Sequence, residues 1–148
     1  MNIYFSCSIT GGREDQAIYH ILVEYLLSRG HDVPTAHLAD PDILTEDSKI
    51  DARAVFERDV AWVRESDMVV AEVSTPSHGV GYEIALAASL NKPVFCCYRE
   101  GKRVSKMILG NSHPLMQIKS YSTSEEAVAL VEQFVSANSE KCKKGIIV

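Results

Sequence analysis

Two carboxylates stand where a carboxylate is costly. In "SHGVGYEIALAASL", residues 77–90, Glu83 lies on a segment that reads as a helix entering a core. In "ARAVFERDVAWV", residues 52–63, Asp59 has the same kind of position. On a helix the surface neighbours of a residue lie three and four places away. For Asp59 these are Val55, Phe56, Trp62 and Val63, and for Glu83 they are Gly79, Val80, Leu86 and Ala87. All of them are apolar or, at Gly79, lack a side chain. Burying an unpaired charge is expensive, so each acid needs a partner or a purpose. A helix dipole would serve Glu83; Arg53, Arg58 or Arg64 would serve Asp59. Two such acids on one chain, one of them opening a helix, favour chemistry over salt-bridging.

Paired carboxylates in unlike environments suit cleavage of a glycosidic bond. One attacks or stabilises an oxocarbenium-like centre while the other handles the leaving group's proton. The helix N-terminus is expected to keep Glu83 ionised as the nucleophile. The apolar neighbours of Asp59 are expected to raise its proton affinity and make it the acid. Tyr4 shares a strand face with Asn2, Ser6 and Ser8, more polar than the face of Ile3, Phe5 and Cys7. Its phenol either reaches a carboxylate or packs.

Two glycine-containing loops could bring backbone close to an anion. "SITGGRED" contributes Ser8, Ile9, Thr10 and Gly11, and "SHGVGYE" contributes Ser77 and Gly79. Each leads into a helix whose first amides are donors. Neither is a Walker loop, since no Gly-Lys-Ser/Thr follows. "GVGYEI" is not a dinucleotide fingerprint, since Ile84 takes the place of the third glycine. Ser8, Thr10, Ser77 and Ser105 offer hydroxyls, although Ser77 is equally a helix cap and Ser8 and Thr10 are equally turn residues. His37, on the loop after the second predicted strand, either reaches a ligand or is an ordinary loop histidine. Tyr82 and His78 stand beside Glu83, either lining a base pocket or at the surface.

These residues need a scaffold, and the hydrophobic pattern supplies one. Strands are predicted at 2–9, 31–35, 67–73, 93–98 and 116–121. Helices are predicted at 12–30, 52–65, 80–90, 104–109 and 124–137. The first helix carries a stripe of Ala17, Ile18, Ile21, Leu22, Tyr25 and Leu26, and Gly30 ends it. Residues 37–51 read as a long polar loop. The third and fourth strands are apolar on both faces, as buried parallel strands are. The expectation is an α/β, flavodoxin-like fold: a doubly wound, five-stranded parallel sheet in three layers. Ligands on such sheets bind beyond the carboxyl ends of the strands, where "SCSITGG", "STPSHG" and "REGKR" gather.

The chain has 148 residues, 46% hydrophobic and 24% charged, with a net charge of −5. One globular domain, 1–138, is expected, with a tail at 139–148. The acidic balance disfavours a nucleic-acid polymer or an anionic membrane as partner. "MNIYFSCSIT" lacks a basic start before a long apolar run, so no signal peptide is expected, and no run approaches the length of a membrane helix. Cys7, Cys96, Cys97 and Cys142 form no CxxC pair, which suits free thiols in a reducing cytoplasm. The five histidines show no ligand spacing, so no metal is expected.

Three segments, "IYFSCSITGGREDQAIY", "FERDVAWVRESDMVVAEVSTPSHGVGYEIALAASLNKPVFC" and "RVSKMILG", occur in order and with their spacing intact. They resemble the 2′-deoxynucleoside 5′-monophosphate N-glycosidases of the nucleoside 2-deoxyribosyltransferase superfamily, over roughly residues 2–122. The resemblance implies a homodimer that needs no cofactor and hydrolyses the bond between base and deoxyribose. It makes Glu83 the nucleophile, Asp59 the acid and Tyr4 the residue that orients the nucleophile. It makes Ser8 and Ser77 phosphate ligands and Ser105 a ligand supplied across the interface. Asn111 is similar to the cross-subunit asparagine of the transferases. Thr10 departs from the pattern, standing where the vertebrate enzymes have an arginine, and Cys7 replaces a glycine. The alternatives are a deoxyribosyltransferase, a CMP-type ribonucleotide N-glycosidase and a non-catalytic nucleotide sensor.

Overall fold

The structure, a computed structural model, describes residues 1–9, 12, 14–39 and 50–143, with only the backbone of 140–143. Thr10, Gly11 and most of the long loop lie outside the described residues.

Four parallel strands form the sheet: β1 (Ile3–Ser6), β2 (Met68–Glu72), β3 (Val94–Arg99) and β4 (Met116–Tyr121), in that spatial order. The helices are α1 (Gln16–Ser28), α2 (Ala52–Glu65), α3 (His78–Ser89), α4 (Lys106–Leu109) and α5 (Ser124–Lys143). The second of the five expected strands, 31–35, is reduced to one parallel bridge between Asn2 and Asp32. Pro34 lacks an N–H, and the chain turns into a 3-10 segment at Ala36–Ala39, so pairing stops there. The bridge nonetheless lies on the free side of β1. With it the order becomes that of a flavodoxin-like sheet, with the switch point beside β1.

Alternation along the strands divides the core between two faces. Ile3, Phe5, Met68, Val70 and Phe95 pack under α1 and α5. Tyr4, Val69, Ala71, Val94 and Cys96 pack under α2 and α3. The result is three layers. On α1 the buried stripe is Ile18, Tyr19, Leu22, Val23 and Leu26. It is rotated from the expected one, and Ile21 is exposed, because α1 also packs along α5 and turns Tyr19 onto Phe5 at 6.4 Å.

Local signals set the helix that carries Asp59. Oδ2 of Asp51 accepts from the amides of Arg53 at 3.0 Å and Ala54 at 3.4 Å, capping α2. On α3 the chain leaves the helix through Asn91, at φ 54°. The last helix runs on to Lys143, so the segment expected to be a loose tail from 139 begins as helix. Cys7, Cys96 and Cys97 are buried thiols.

Candidate active site

β1 and α3 meet at Glu83. The carboxylate lies in the second turn of α3, and its Oε2 accepts a short hydrogen bond from Ser6 Oγ. Ser6 ends β1 on the same face as Tyr4, which is fully buried. The Tyr4 hydroxyl makes no hydrogen bond of its own, yet it is near enough to Glu83 for each to shift the other's proton affinity. Burial, then the charges of Glu83 and Asp59, pushes the Tyr4 phenol far up, so it stays a neutral donor.

Burial also raises the proton affinity of Glu83; the Ser6 and Tyr4 hydroxyls oppose the rise and the charge of Asp59 adds to it. The helix terminus, expected to keep Glu83 ionised, does not offset this rise. Desolvation outweighs a dipole that fades within the first turn.

Asp59 projects from α2 into the field of both groups, 18% exposed and paired at 2.8 Å with Nε of Arg58. Arg58 in turn lies 4.9 Å from the Trp62 ring centroid. His37 meets the other part of this surface, with its ring 5.6 Å from that of Trp62 and nearly perpendicular to it. Phe56, on the same helix, and Tyr82, both about half exposed, meet at a tilt with ring centroids 5.9 Å apart. Phe56 and Trp62 stand three residues either side of Asp59 on α2, and such rings could hold a planar base.

The predicted anion ligands divide. Ser8 is fully buried and its hydroxyl has no partner, and Ile9 follows it at partial exposure. Ser77 stands at the head of α3 without using its side chain as a cap. A Cβ placed on Gly79 would lie 3.9 Å from both Oε1 of Glu83 and Oγ of Ser77, so the two side chains converge on a glycine. Ser105 is engaged as a cap, accepting from the Met107 amide at 3.2 Å. Ser77, Ser105 and Asn111 line one groove of about 1090 Å³ between α3 and α4, within a single chain. Glu83 and Asp59 do not line it. His78 is exposed at the groove's edge.

Sequence reasoning missed the roles of two residues, Ser6 and Glu72, and left a third among alternatives. Ser6 was placed on the polar face of β1 but not joined to Glu83. Arg58 was one of three candidate partners for Asp59. Glu72, fully buried at the end of β2, was read as part of an apolar strand; an acid inside an otherwise apolar run was the available signal. Among the described residues, no three or more His, Cys, Asp or Glu side chains are arranged to hold a metal ion. No helix among them is long and apolar enough to cross a membrane.

Known proteins resemble this chain in sequence and in fold. The chain is 42% identical over 138 residues to the 5-hydroxymethyl-dUMP N-hydrolase of Danio rerio, covering 90% of this chain and 96% of that one. It is 45% identical over 113 residues to the 5-hydroxymethyl-dUMP N-hydrolase of Mus musculus, covering 74% and 65% respectively. The fold matches that of Clostridium botulinum CMP N-glycosidase, BcmB, with a TM-score of 0.67 over 89% of this chain and 98% of that one, at 16% identity. The family model for nucleoside 2-deoxyribosyltransferase matches residues 3–140, and the chain belongs to that family.

Proposed function

We propose that the protein is an N-glycosidase that hydrolyses 2′-deoxynucleoside 5′-monophosphates to free base and 2-deoxyribose 5-phosphate. The convergence of Tyr4, Ser6, Glu83 and Asp59 on one face of the sheet carries this reading. The names of the relatives support the reaction class.

The chemistry follows from the placement of the oxygens. Oε2 of Glu83 is held by Ser6, which leaves Oε1, on the Gly79 side, to attack C1′. The C1′–N bond breaks as the C1′–O bond to Glu83 forms, and its electron pair goes to the base. Asp59 gives that base a proton. Water then attacks C1′, Asp59 takes the water's proton, and the ester to Glu83 breaks, restoring its carboxylate. Ser6 and Tyr4 orient the nucleophile. The aromatic surface around Trp62 holds the base. Ser8, Ser77 and the first amides of α3 take the phosphate. His37 contacts the base through the Trp62 surface.

The enzyme acts as a homodimer in this reading. Ser105 is flanked by Met107, 82% exposed, and Leu109, 46% exposed, an apolar ridge that a second copy would cover. Ser105 and Asn111 then border the partner's site as well as their own groove. Sedimentation of a Met107→Glu variant tests this, and a shift to monomer is expected.

Chromatography of wild type and Glu83→Gln with dGMP, dCMP, CMP and deoxyguanosine tests the reaction. Free base from the deoxynucleotides with wild type, and none with the variant, is expected. Release only from deoxyguanosine, or only with an acceptor base added, would indicate a transferase. Tight binding without release would indicate a sensor.

A further inference from the structure

The β2–α3 turn, which carries Ser77 to the head of α3, is gripped from the face of the sheet opposite Glu83. Glu72 ends β2 and, two residues after Val70, points beneath α1 and α5. It is fully buried. Its Oε1 accepts from Ser74 Oγ and, at 2.9 Å, from the Tyr121 hydroxyl; its Oε2 accepts from the Ser74 amide at 3.2 Å. Ser74 Oγ also accepts from the Arg99 amide at 2.7 Å. The Arg99 guanidinium lies 3.0 Å from Oδ1 of Asp15, and Oδ2 of Asp15 accepts from Thr75 at 2.9 Å. One network thus joins the start of α1, the β2–α3 turn, the end of β3 and the end of β4.

This is a costly arrangement for stability alone. Glu72 and Asp15 are both buried and act on each other through their charges, and burial raises the proton affinity of Glu72 further. Well-packed apolar side chains in such places are often neutral or stabilising. Glu72 cannot touch substrate from behind the sheet. What its hydrogen bonds fix is Ser74, three residues before Ser77.

We propose that Glu72 is a positioning residue that holds the β2–α3 turn in the shape in which Ser77 and the α3 amides meet the substrate's 5′-phosphate. The proposal rests on the monophosphate reading above. A merely structural Glu72 would change the folded fraction and leave the KM of the folded enzyme alone. A positioning Glu72 changes KM in a phosphate-dependent way.

The test compares Glu72→Ala, Glu72→Gln and Ser74→Ala with wild type, measuring kcat and KM for dGMP and for deoxyguanosine. Glu72→Ala and Ser74→Ala are expected to raise KM for dGMP about tenfold while kcat stays within about twofold, the scale of one charged hydrogen bond misplaced. KM for deoxyguanosine should not follow. Glu72→Gln keeps the Oε1 acceptor and should recover most of the loss. An unchanged KM for dGMP in Ser74→Ala, or an equal rise for deoxyguanosine, overturns the proposal, even where Glu72→Ala fails to fold. Should wild type release no base from dGMP, the reaction reading fails by itself. Calorimetric titration with 2-deoxyribose 5-phosphate then decides the positioning role: about tenfold weaker binding by Ser74→Ala supports it, and equal binding overturns it.

Discussion

The Ser6 hydroxyl donates to Oε2 of Glu83, and this contact joins residues 77 positions apart in the chain. It stabilises the ionised carboxylate against the burial that raises its proton affinity. In the proposed mechanism, attack on C1′ needs the ionised form. The acidic limb of kcat/KM is therefore expected above the ordinary carboxylate range. Ser6→Ala removes a hydrogen bond to the charged form and should move that limb up by about one pH unit. A pH–rate series on the two proteins checks it; an unmoved limb would separate Ser6 from the nucleophile.

Glu83→Gln keeps the shape and the acceptor for Ser6 but cannot form the ester. Its kcat is expected to fall by at least about a thousandfold. Mass spectrometry of acid-quenched wild type should show a 2-deoxyribosyl phosphate adduct on the α3 peptide. Its absence from the variant, together with lost activity, is the expected pair of results.

Asp59 pairs with Arg58 at 2.8 Å. Asp59→Asn should cost roughly 10²–10⁴ in kcat with an ordinary base, the usual scale of general acid catalysis. A 2-deoxyribose 5-phosphate carrying a p-nitrophenyl leaving group needs no proton and should lose far less. Equal losses on both substrates would make Asp59 a binding residue.

The candidate site's face was legible because its rules are local. Helical spacing singled out Asp59 and Glu83, and strand alternation put Tyr4 with Ser6 and Ser8. The second helix begins at the expected residue, Ala52. What stayed hidden depends on tertiary packing. The rise in Glu83's proton affinity comes from elements that cover α3, which no i, i+4 count contains. Glu72 finds Tyr121, 49 residues on, and Asp15 only once the strands are paired. The second strand failed because "HDVPT" has the composition of a strand but makes only one bridge with β1 before Pro34 and the 3-10 turn.

Burial raises Glu83's proton affinity, so folding favours its neutral form. The folded state holds that proton at pH values where the unfolded chain has lost it. The stabilisation is therefore fully present below the ordinary carboxylate range and is lost as pH rises through the folded-state value. Glu83→Gln mimics the neutral acid. It is expected to melt higher than wild type at neutral pH, by roughly 2–4 °C for each kcal/mol recovered. The two curves should converge near pH 4, close to the unfolded carboxylate's own range. Calorimetric melts across that interval check the sign. A variant less stable at neutral pH would mean that the hydrogen bonds of the ionised form outweigh its desolvation.

Gly79→Ala separates folding from function most sharply. The added methyl would meet Glu83 Oε1 and Ser77 Oγ at 3.9 Å, ordinary contact, so the fold has room for it. Alanine in place of a helical glycine adds up to about 1 kcal/mol, or roughly 2–4 °C in Tm for a chain of this size. In the proposed mechanism that methyl would occupy the space between nucleophile and phosphate ligand, where the sugar sits. KM for a deoxynucleoside monophosphate should therefore rise by about tenfold or more, since a group that blocks close approach readily costs a kcal/mol or two. Thermal melts and steady-state kinetics on one preparation decide it. A variant that is both stabler and fully active would place the sugar elsewhere than beside Gly79.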